Sequence, residues 1–287
     1  MGLGLSVLIA IKATAWMLLY LFFGRFGFTV LAIPLLYASL ISWLVSIASH
    51  PSIDLPMLLG KNPDGTFPIL STIMFSPYLY FARAFSMVRR FFSGEEPYSQ
   101  ICEGLYVGGW PASPRLLPPG NPAIIDCTSE FPRIKEFKGH SYLCVPTWDT
   151  RAPQPGQIES AVKWACRKRA RNQPVYVHCA YVSKLKRPLD PCSIGLTGRS
   201  GHGRSVAVMC ALLVALGVVE NWKAAEKYIR ERRPCIKMNS LHYKALEEWS
   251  SSRLSSPKRN EELDVNSVSQ SNSSGNTKAS MVENKID

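Results

Sequence analysis

The sequence predicts an α/β domain, with a central, mostly parallel sheet flanked by helices, preceded by a transmembrane helical hairpin. Two long apolar runs fill the first fifty residues, and short β-rich runs alternate with helical patterns from residue 100 to 250. Such alternation is typical of a parallel sheet covered by helices. With 287 residues and 46% hydrophobic side chains, the chain is neither wholly disordered nor collagen-like.

The two apolar runs, residues 3–23 and 26–48, are each long enough to cross a hydrocarbon core as a helix. The first 53 residues contain no acid and only two bases, Lys12 and Arg25. Lys12 costs about 3 kcal/mol near the centre of a span, which the surrounding Leu, Ile, Val and Phe residues outweigh. A cleaved signal peptide is the alternative for the first run, but the second run follows at once, without a polar chain. We therefore expect residues 1–50 to form a hairpin.

A third apolar stretch, residues 67–82, is short for a span and contains Pro68 and Pro77. Three basic residues follow it: Arg83, Arg89 and Arg90. This pattern favours a segment that lies at the lipid headgroups. Residues 51–99 are therefore predicted to be a juxtamembrane or interfacial segment.

The charge is unevenly distributed: of the formal net charge of +12, residues 101–255 carry +11. A basic domain suits anionic partners, namely phosphate esters, acidic lipid surfaces or nucleic acid. Of these we expect phosphate esters and a membrane surface, and not nucleic acid.

All eight cysteines lie beyond residue 101, without a Cys-x-x-Cys pair or a metal-ligand spacing with histidine. They are interpreted as reduced thiols, so the domain is predicted to face a reducing, cytosol-like compartment. The sequence encodes no metal site and requires no cofactor.

The elements of the domain follow from the apolar periodicity and its breakers. Strands are predicted at residues 104–107, 123–126, 142–145 and 175–178, and helices at residues 157–169, 204–216, 222–232 and 241–249. From residue 251 to 287 the chain is Ser- and Asn-rich and has few large apolar residues, which predicts a disordered tail.

Two features of the domain carry chemistry. The buried strand ending in His178 and Cys179 delivers a thiol to its carboxyl end, where ligands of open α/β sheets bind. Further on, the segment 201–205 (GHGRS) leads a glycine-containing loop into an apolar helix. Free N–H groups at such a helix start hold an anion such as phosphate.

Together these pieces resemble the His-Cys-x5-Arg-Ser/Thr signature of the cysteine-dependent phosphatases, in their dual-specificity branch. The resemblance covers roughly residues 100–250 and includes the segments ICEGLYVGGWP (101–111), AIIDCTSEFP (123–132) and RRPCIKMNSLHYKALEEW (232–249). Asp149 precedes Cys179 by 30 residues, which is similar to the spacing of the family's general acid.

The chemistry of phosphoryl transfer assigns the roles. A thiolate of Cys179 attacks phosphorus, and Arg204 neutralises the charge that spreads over the phosphoryl oxygens. Asp149 protonates the leaving oxygen and later deprotonates the attacking water. The resemblance implies that Ser205 hydrogen-bonds the sulfur and eases its departure from the phospho-cysteine. The predicted phosphate-binding residues are Ala180, Gly201, His202, Gly203 and Arg204.

The signature is interrupted, because 24 residues separate Cys179 from Arg204 where the family pattern has five. Removing residues 181–199 (YVSKLKRPLDPCSIGLTGR) restores that spacing, which suggests that the chain is a splice variant or a gene-model variant of an active phosphatase. We expect the insertion to part the sulfur from the guanidinium and to impair catalysis. Cys192, within the insertion, is not expected to be a second nucleophile, since Pro188 and Pro191 forbid a buried strand before it.

The first functional hypothesis is therefore a membrane-anchored phosphatase that acts on phosphoproteins or on phospholipids. The arginines Arg83, Arg89 and Arg90 beside the membrane segment favour phospholipids. The second hypothesis is a pseudophosphatase that binds or scaffolds phosphorylated partners at a membrane. The third is a membrane protein whose soluble domain is only structural. Phosphate binding without turnover would distinguish the second hypothesis from the first.

Overall fold

A computed structural model describes residues 5–93, 96–180 and 203–255 of the chain. By their contacts, the residues group into two units, Met1–Trp249 and Ser250–Asp287. The first unit holds the hairpin, the sheet and its helices. Of the second unit, residues 250–255 are described, and residues 250–254 are helical.

The N-terminal hairpin consists of α1 (Leu5–Arg25) and α2 (Thr29–Ala48), and both helices are long and apolar enough to cross a membrane. Gly27 lies in the turn between them with a positive φ of 83°, a conformation that glycine adopts without steric cost. The two helices are joined by serine hydroxyl groups that donate to backbone carbonyls. Ser39 donates to Ala13 at 2.8 Å, and Ser46 donates to Ser6 at 2.7 Å. Such bonds and small residues are typical of helix pairs in membranes.

Residues 56–93, within the predicted interfacial segment, form a 3-10 turn (Pro56–Leu59) and two helices, α3 (Ile69–Met74) and α4 (Ser76–Ser93). Pro68 caps α3, so the proline that interrupts the apolar stretch starts a helix. The Tyr37 hydroxyl group on α2 donates to the carbonyl groups of Ile73 and Met74, at 2.9 and 2.7 Å. These hydrogen bonds join the hairpin to the α3–α4 junction.

The central sheet contains five strands: β1 (Tyr98–Cys102), β2 (Leu105–Gly109), β3 (Ala123–Asp126), β4 (Tyr142–Cys144) and β5 (Val175–Cys179). Their order across the sheet is β1-β2-β5-β3-β4, and only the β1–β2 pair is antiparallel. The predicted fold class is therefore confirmed. The sequence pattern predicted four strands and missed β1, whose residues alternate poorly and lie at the edge of the sheet.

Four helices complete the domain: α5 (Pro155–Arg169), α6 (Gly203–Ala215), α7 (Trp222–Arg232) and α8 (Ser240–Leu254). The helix predicted at 241–249 continues for five more residues, to Leu254. No helix-breaking proline occurs in this stretch, since the next proline is Pro257. Trp249 is buried, and its indole N–H donates to Glu159 on α5 at 2.8 Å. The tail is predicted to be disordered from residue 251 to 287, but residues 251–254 are the helical end of α8. Residues 256–287 lie outside the described residues.

Both faces of the sheet are covered, which explains why β5 is continuously buried. Val175, Val177 and Cys179 belong to the core beneath the helices, whereas Tyr176 belongs to a second cluster, on the opposite face, with Ile124 and Phe137. Because side chains alternate along a strand, Cys179 emerges on the face where α6 begins.

Candidate active site

Cys179 is the last residue of the central strand β5, and its side chain is almost completely buried. The Ser205 hydroxyl group, in the first turn of α6, donates to the Cys179 sulfur at 3.3 Å. The thiol therefore lies at the N-terminus of a 13-residue helix, where the helix dipole favours negative charge. This is the placement that a thiolate nucleophile needs.

The two ends of the interrupted signature lie together. The 24-residue connection does not separate the sulfur from the start of α6, because Cys179 contacts Ser205. That it parts the sulfur from the Arg204 guanidinium and impairs catalysis stays a prediction. A connection can lengthen at little entropic cost while its ends stay packed in a core, since closure entropy rises slowly with length. The insertion at 181–199, with Cys192, and the predicted loop residues Gly201 and His202 lie outside the described residues.

Arg204 is buried and bound to protein acceptors. Its two terminal nitrogens donate to the two Glu130 oxygens, at 2.9 and 3.2 Å. They also donate to the Thr147 carbonyl at 2.6 Å and to Asp149 Oδ1 at 3.2 Å. Burial alone would lower the pKa of Arg204, but the Glu130 and Asp149 carboxylates outweigh it and raise that pKa above its ordinary value.

Glu130 is a site residue that the sequence analysis missed. It lies after β3, within the segment AIIDCTSEFP on which the resemblance partly rests. The segment supported the family resemblance, but the pattern assigned no role to this glutamate. Its bidentate pair with Arg204 fixes the plane of the guanidinium. A phosphate that binds Arg204 must therefore compete with Asp149, the more exposed of the two carboxylates.

Asp149 lies in the loop between β4 and α5, and about 29% of its side chain is exposed. The next residue, Thr150, has a positive φ of 68°, which is unusual for a β-branched residue. Its carbonyl accepts a hydrogen bond of 2.7 Å from Asn239, just before α8. The structure thus brings the four predicted catalytic residues to one end of the sheet: Arg204 bonds Asp149, and Ser205, the next residue, contacts Cys179.

The predicted phosphate-binding residues at the edges of the insertion have close neighbours. Ala180 packs in a cluster with Trp110 and Phe131, whose rings are stacked at 4.7 Å. Gly203 faces the imidazole of His242, and a Cβ at this position would lie 2.7 Å from the ring. Burial, together with the Arg204 charge, lowers the pKa of His242 to about 4, so this ring is neutral at pH 7.

Beneath His178 lies a buried network that the sequence did not reveal. Lys61 donates to Asp126 at 2.5 Å and to the Thr128 carbonyl at 2.8 Å, and the Tyr142 hydroxyl group donates to Asp126 at 2.6 Å. His178 Nε2 lies 3.9 Å from the same carboxylate. Burial favours protonation of Asp126, but Lys61 and His178 outweigh it and lower its pKa to about 2. Burial lowers the pKa of His178 to about 4, so it is neutral beside the ion pair.

The seven cysteines that the structure describes carry free thiols. Among the residues in the described ranges, no three His, Cys, Asp or Glu side chains are grouped so that they could hold a metal ion. The side chains that the structure brings to this site supply a thiol, a hydroxyl group, a guanidinium and carboxylates.

The sequence matches no family model and no curated protein. Similar solved structures include Tk-PTP in its active form, with 19% identity over 54% of this chain and 97% of that chain and a TM-score of 0.43. Human DUSP28 is 15% identical over 56% of this chain and 98% of its own, with a TM-score of 0.45. PTPMT1 in complex with PI(5)P is 21% identical over 54% of this chain and 96% of its own, with a TM-score of 0.43.

These neighbours are dual-specificity and tyrosine-phosphatase-like proteins, the group that the sequence motifs resemble. With identities of 15–21% and TM-scores of 0.43–0.45, these likenesses assign no function to this chain. The side chains at the end of β5 carry the functional inference.

Proposed function

We propose that this chain is a membrane-anchored, cysteine-dependent phosphatase of the dual-specificity type. It hydrolyses phosphomonoesters of phosphoproteins or phospholipids through a phospho-cysteine intermediate. The Cys179 sulfur attacks phosphorus as the P–O bond of the ester breaks, and Asp149 gives its proton to the leaving oxygen. Water, deprotonated by Asp149, then releases phosphate from the sulfur.

The observation that carries this proposal is the contact of 3.3 Å between the Cys179 sulfur and the Ser205 hydroxyl group at the start of α6. It persists although 24 residues separate Cys179 from Arg204 in the sequence. Ser205 can stabilise the departing thiolate, and Arg204, held by Glu130, lies within reach of the charge on the sulfur. These groups suit transfer of a phosphoryl group better than binding alone.

Attachment to a membrane is supported by α1 and α2, since most of their large apolar side chains are exposed. A helix in the core of a soluble protein would bury them. Exposed apolar residues continue onto the next helices, including Ile69 and Leu70 on α3 and Phe81 on α4. Such a surface is stable against lipid and would aggregate in water.

A pseudophosphatase is the second candidate, and the surroundings of Arg204 favour it. The terminal nitrogens of its guanidinium already donate to Glu130, Thr147 and Asp149. A site in which this arrangement persists leaves no terminal N–H group of the guanidinium to stabilise the transition state, so it does not turn a bound phosphate ester over.

The test is hydrolysis of an aryl phosphate by the full chain in lipid nanodiscs, compared with a version that lacks residues 181–199. Each version is also made with Cys179→Ser, and with Cys166→Ser as the matched control at a thiol on α5, away from the site. Phosphoprotein and phospholipid substrates are then compared on whichever version is active.

Turnover that Cys179→Ser abolishes and Cys166→Ser spares supports the proposal. If only the shortened version is active, the insertion inactivates this chain. If both versions are folded and bind phosphate but neither releases product, the pseudophosphatase replaces the enzyme.

A further inference from the structure

The loop that carries Asp149 rests on the N-terminal helices. We call residues 146–151 the acid loop. Its Trp148 is completely buried in a cluster with Ile9 of α1, Val45 of α2, and Tyr78 of α4. The rings of Tyr78 and Trp148 meet edge to face, with their centroids 6.2 Å apart.

Packing holds this indole in place. Its Nε1–H has no hydrogen-bond partner among the residues that the structure describes. A tryptophan gains its position from the close fit of its neighbours when no polar contact orients it. The position of Trp148 therefore depends on the side chains of α1, α2 and α4.

A second contact joins the acid loop to the hairpin. The Arg151 guanidinium donates to the Ser49 carbonyl at 3.0 Å, and Ser49 directly follows the last residue of α2. Between Trp148 and Arg151 lie Asp149 and Thr150, the latter with its positive φ. A conformation of this kind persists only where neighbouring contacts impose it.

Tyr78 is the aromatic residue of α4 that packs against Trp148. Burial, with the charges of Glu130 and Asp149, raises the pKa of Tyr78 well above its ordinary value, while Arg204 opposes this shift. The N-terminal helices thus pack against the loop that carries Asp149.

We infer that the hairpin and α4 position the general acid: by holding Trp148 and Arg151 they keep Asp149 at the end of the sheet where Cys179 and Arg204 lie, so that it can reach the leaving oxygen of an ester bound there. This inference rests on the proposed function, since it takes Asp149 as the acid. Trp148, Arg151 and Tyr78 are positioning residues, because they act through Asp149.

The kinetic test uses the dependence of the rate on the leaving group. A phenol with a low pKa leaves without a proton, whereas an alcohol needs one from the acid. We compare 4-nitrophenyl phosphate with glycerol phosphate, using the full chain, or its version without residues 181–199 if only that one is active. The variants are Tyr78→Ala and Arg151→Gln. Phe137→Ala is the matched control, a buried aromatic residue in a different cluster, away from the acid loop.

The expected result is a fall of tenfold or more in kcat for glycerol phosphate relative to 4-nitrophenyl phosphate in Tyr78→Ala and Arg151→Gln. The basic limb of the pH–rate profile for glycerol phosphate, which reports the acid, should flatten in parallel. Phe137→Ala should leave the ratio of the two rates unchanged. Equal losses for both substrates in all three variants would mean that the contacts only stabilise the fold, and would overturn the inference.

Hydrogen exchange of the full chain in nanodiscs supplies a readout that needs no turnover. Tyr78→Ala should speed exchange of the amides at residues 147–151 by tenfold or more and leave β5 protected. If no version hydrolyses either ester, the proposed function fails. Faster exchange at the acid loop would then still show that the hairpin holds the loop, and unchanged exchange would refute this contact as well.

Discussion

Replacing Lys61 by methionine should destabilise the protein more than any change at an exposed lysine. Lys61 and Asp126 are both buried and lie 2.5 Å apart. The variant keeps the volume of the side chain but leaves the Asp126 carboxylate buried without its cation. Breaking a buried pair in this way costs about 3–5 kcal/mol.

The shifted pKa of Asp126 also indicates how strongly the Lys61–Asp126 pair is favoured. The pKa of Asp126 falls from 3.8 to about 2, chiefly because Lys61 outweighs the effect of burial. At about 1.4 kcal/mol per pKa unit, its surroundings favour the carboxylate by about 2–3 kcal/mol. Because the folded pKa is the lower one, this stability is present above pH 4 and is lost as the pH falls through about 2.

Urea unfolding of the full chain in detergent micelles, followed by near-ultraviolet circular dichroism, measures the effect. Lys61→Met should lower the free energy of unfolding at pH 7, and the loss should shrink toward pH 4 as the unpaired carboxyl group takes up a proton. The double variant with Asp126→Asn should lose less than the sum of the two single variants. Lys163→Met, at an exposed lysine on α5, is the control and should stay within about 0.5 kcal/mol of the wild type.

A loss below about 0.5 kcal/mol for Lys61→Met, without pH dependence, would refute this reasoning. It would mean that Lys61 is solvated and that residues 51–99 do not insert into the domain.

Three further predictions concern the site itself. Glu130→Gln removes a charge-assisted bidentate pair, worth roughly 1.5–3 kcal/mol, and should lower kcat/KM for aryl phosphates by about 10–150-fold; an unchanged kcat/KM would mean that Arg204 needs no such support. Ser205→Ala should slow the breakdown of the phospho-cysteine, so that a rapid-quench experiment gives a burst of phenol; steady release without a burst would count against this role. Gly203→Ala places a methyl group 2.7 Å from the His242 ring and should lower the free energy of unfolding by about 1–3 kcal/mol, as chemical denaturation measures; wild-type stability would show that the ring moves aside.

Most of the helices and strands, and both ends of the site, could be predicted from the sequence. Apolar runs of 20 residues predict long helices. The short apolar run at β5, flanked by turns, predicts a buried central strand. Cys179 at a strand end and Arg204 at a helix start are local features, so they could be read from neighbouring residues. The four strands that the pattern predicted lie within two residues of their observed bounds for the same reason.

The surroundings of those residues depend on the tertiary structure. Lys61 and Asp126 are 65 residues apart, Glu130 and Arg204 are 74 apart, and Ser49 and Arg151 are 102 apart. No periodicity or spacing rule links such positions, because their proximity arises from the strand order and from the way the N-terminal helices pack. A lysine after a glycine and a glutamate after a strand resemble ordinary loop residues in the sequence. Their burial against opposite charges is a property of the assembled fold alone.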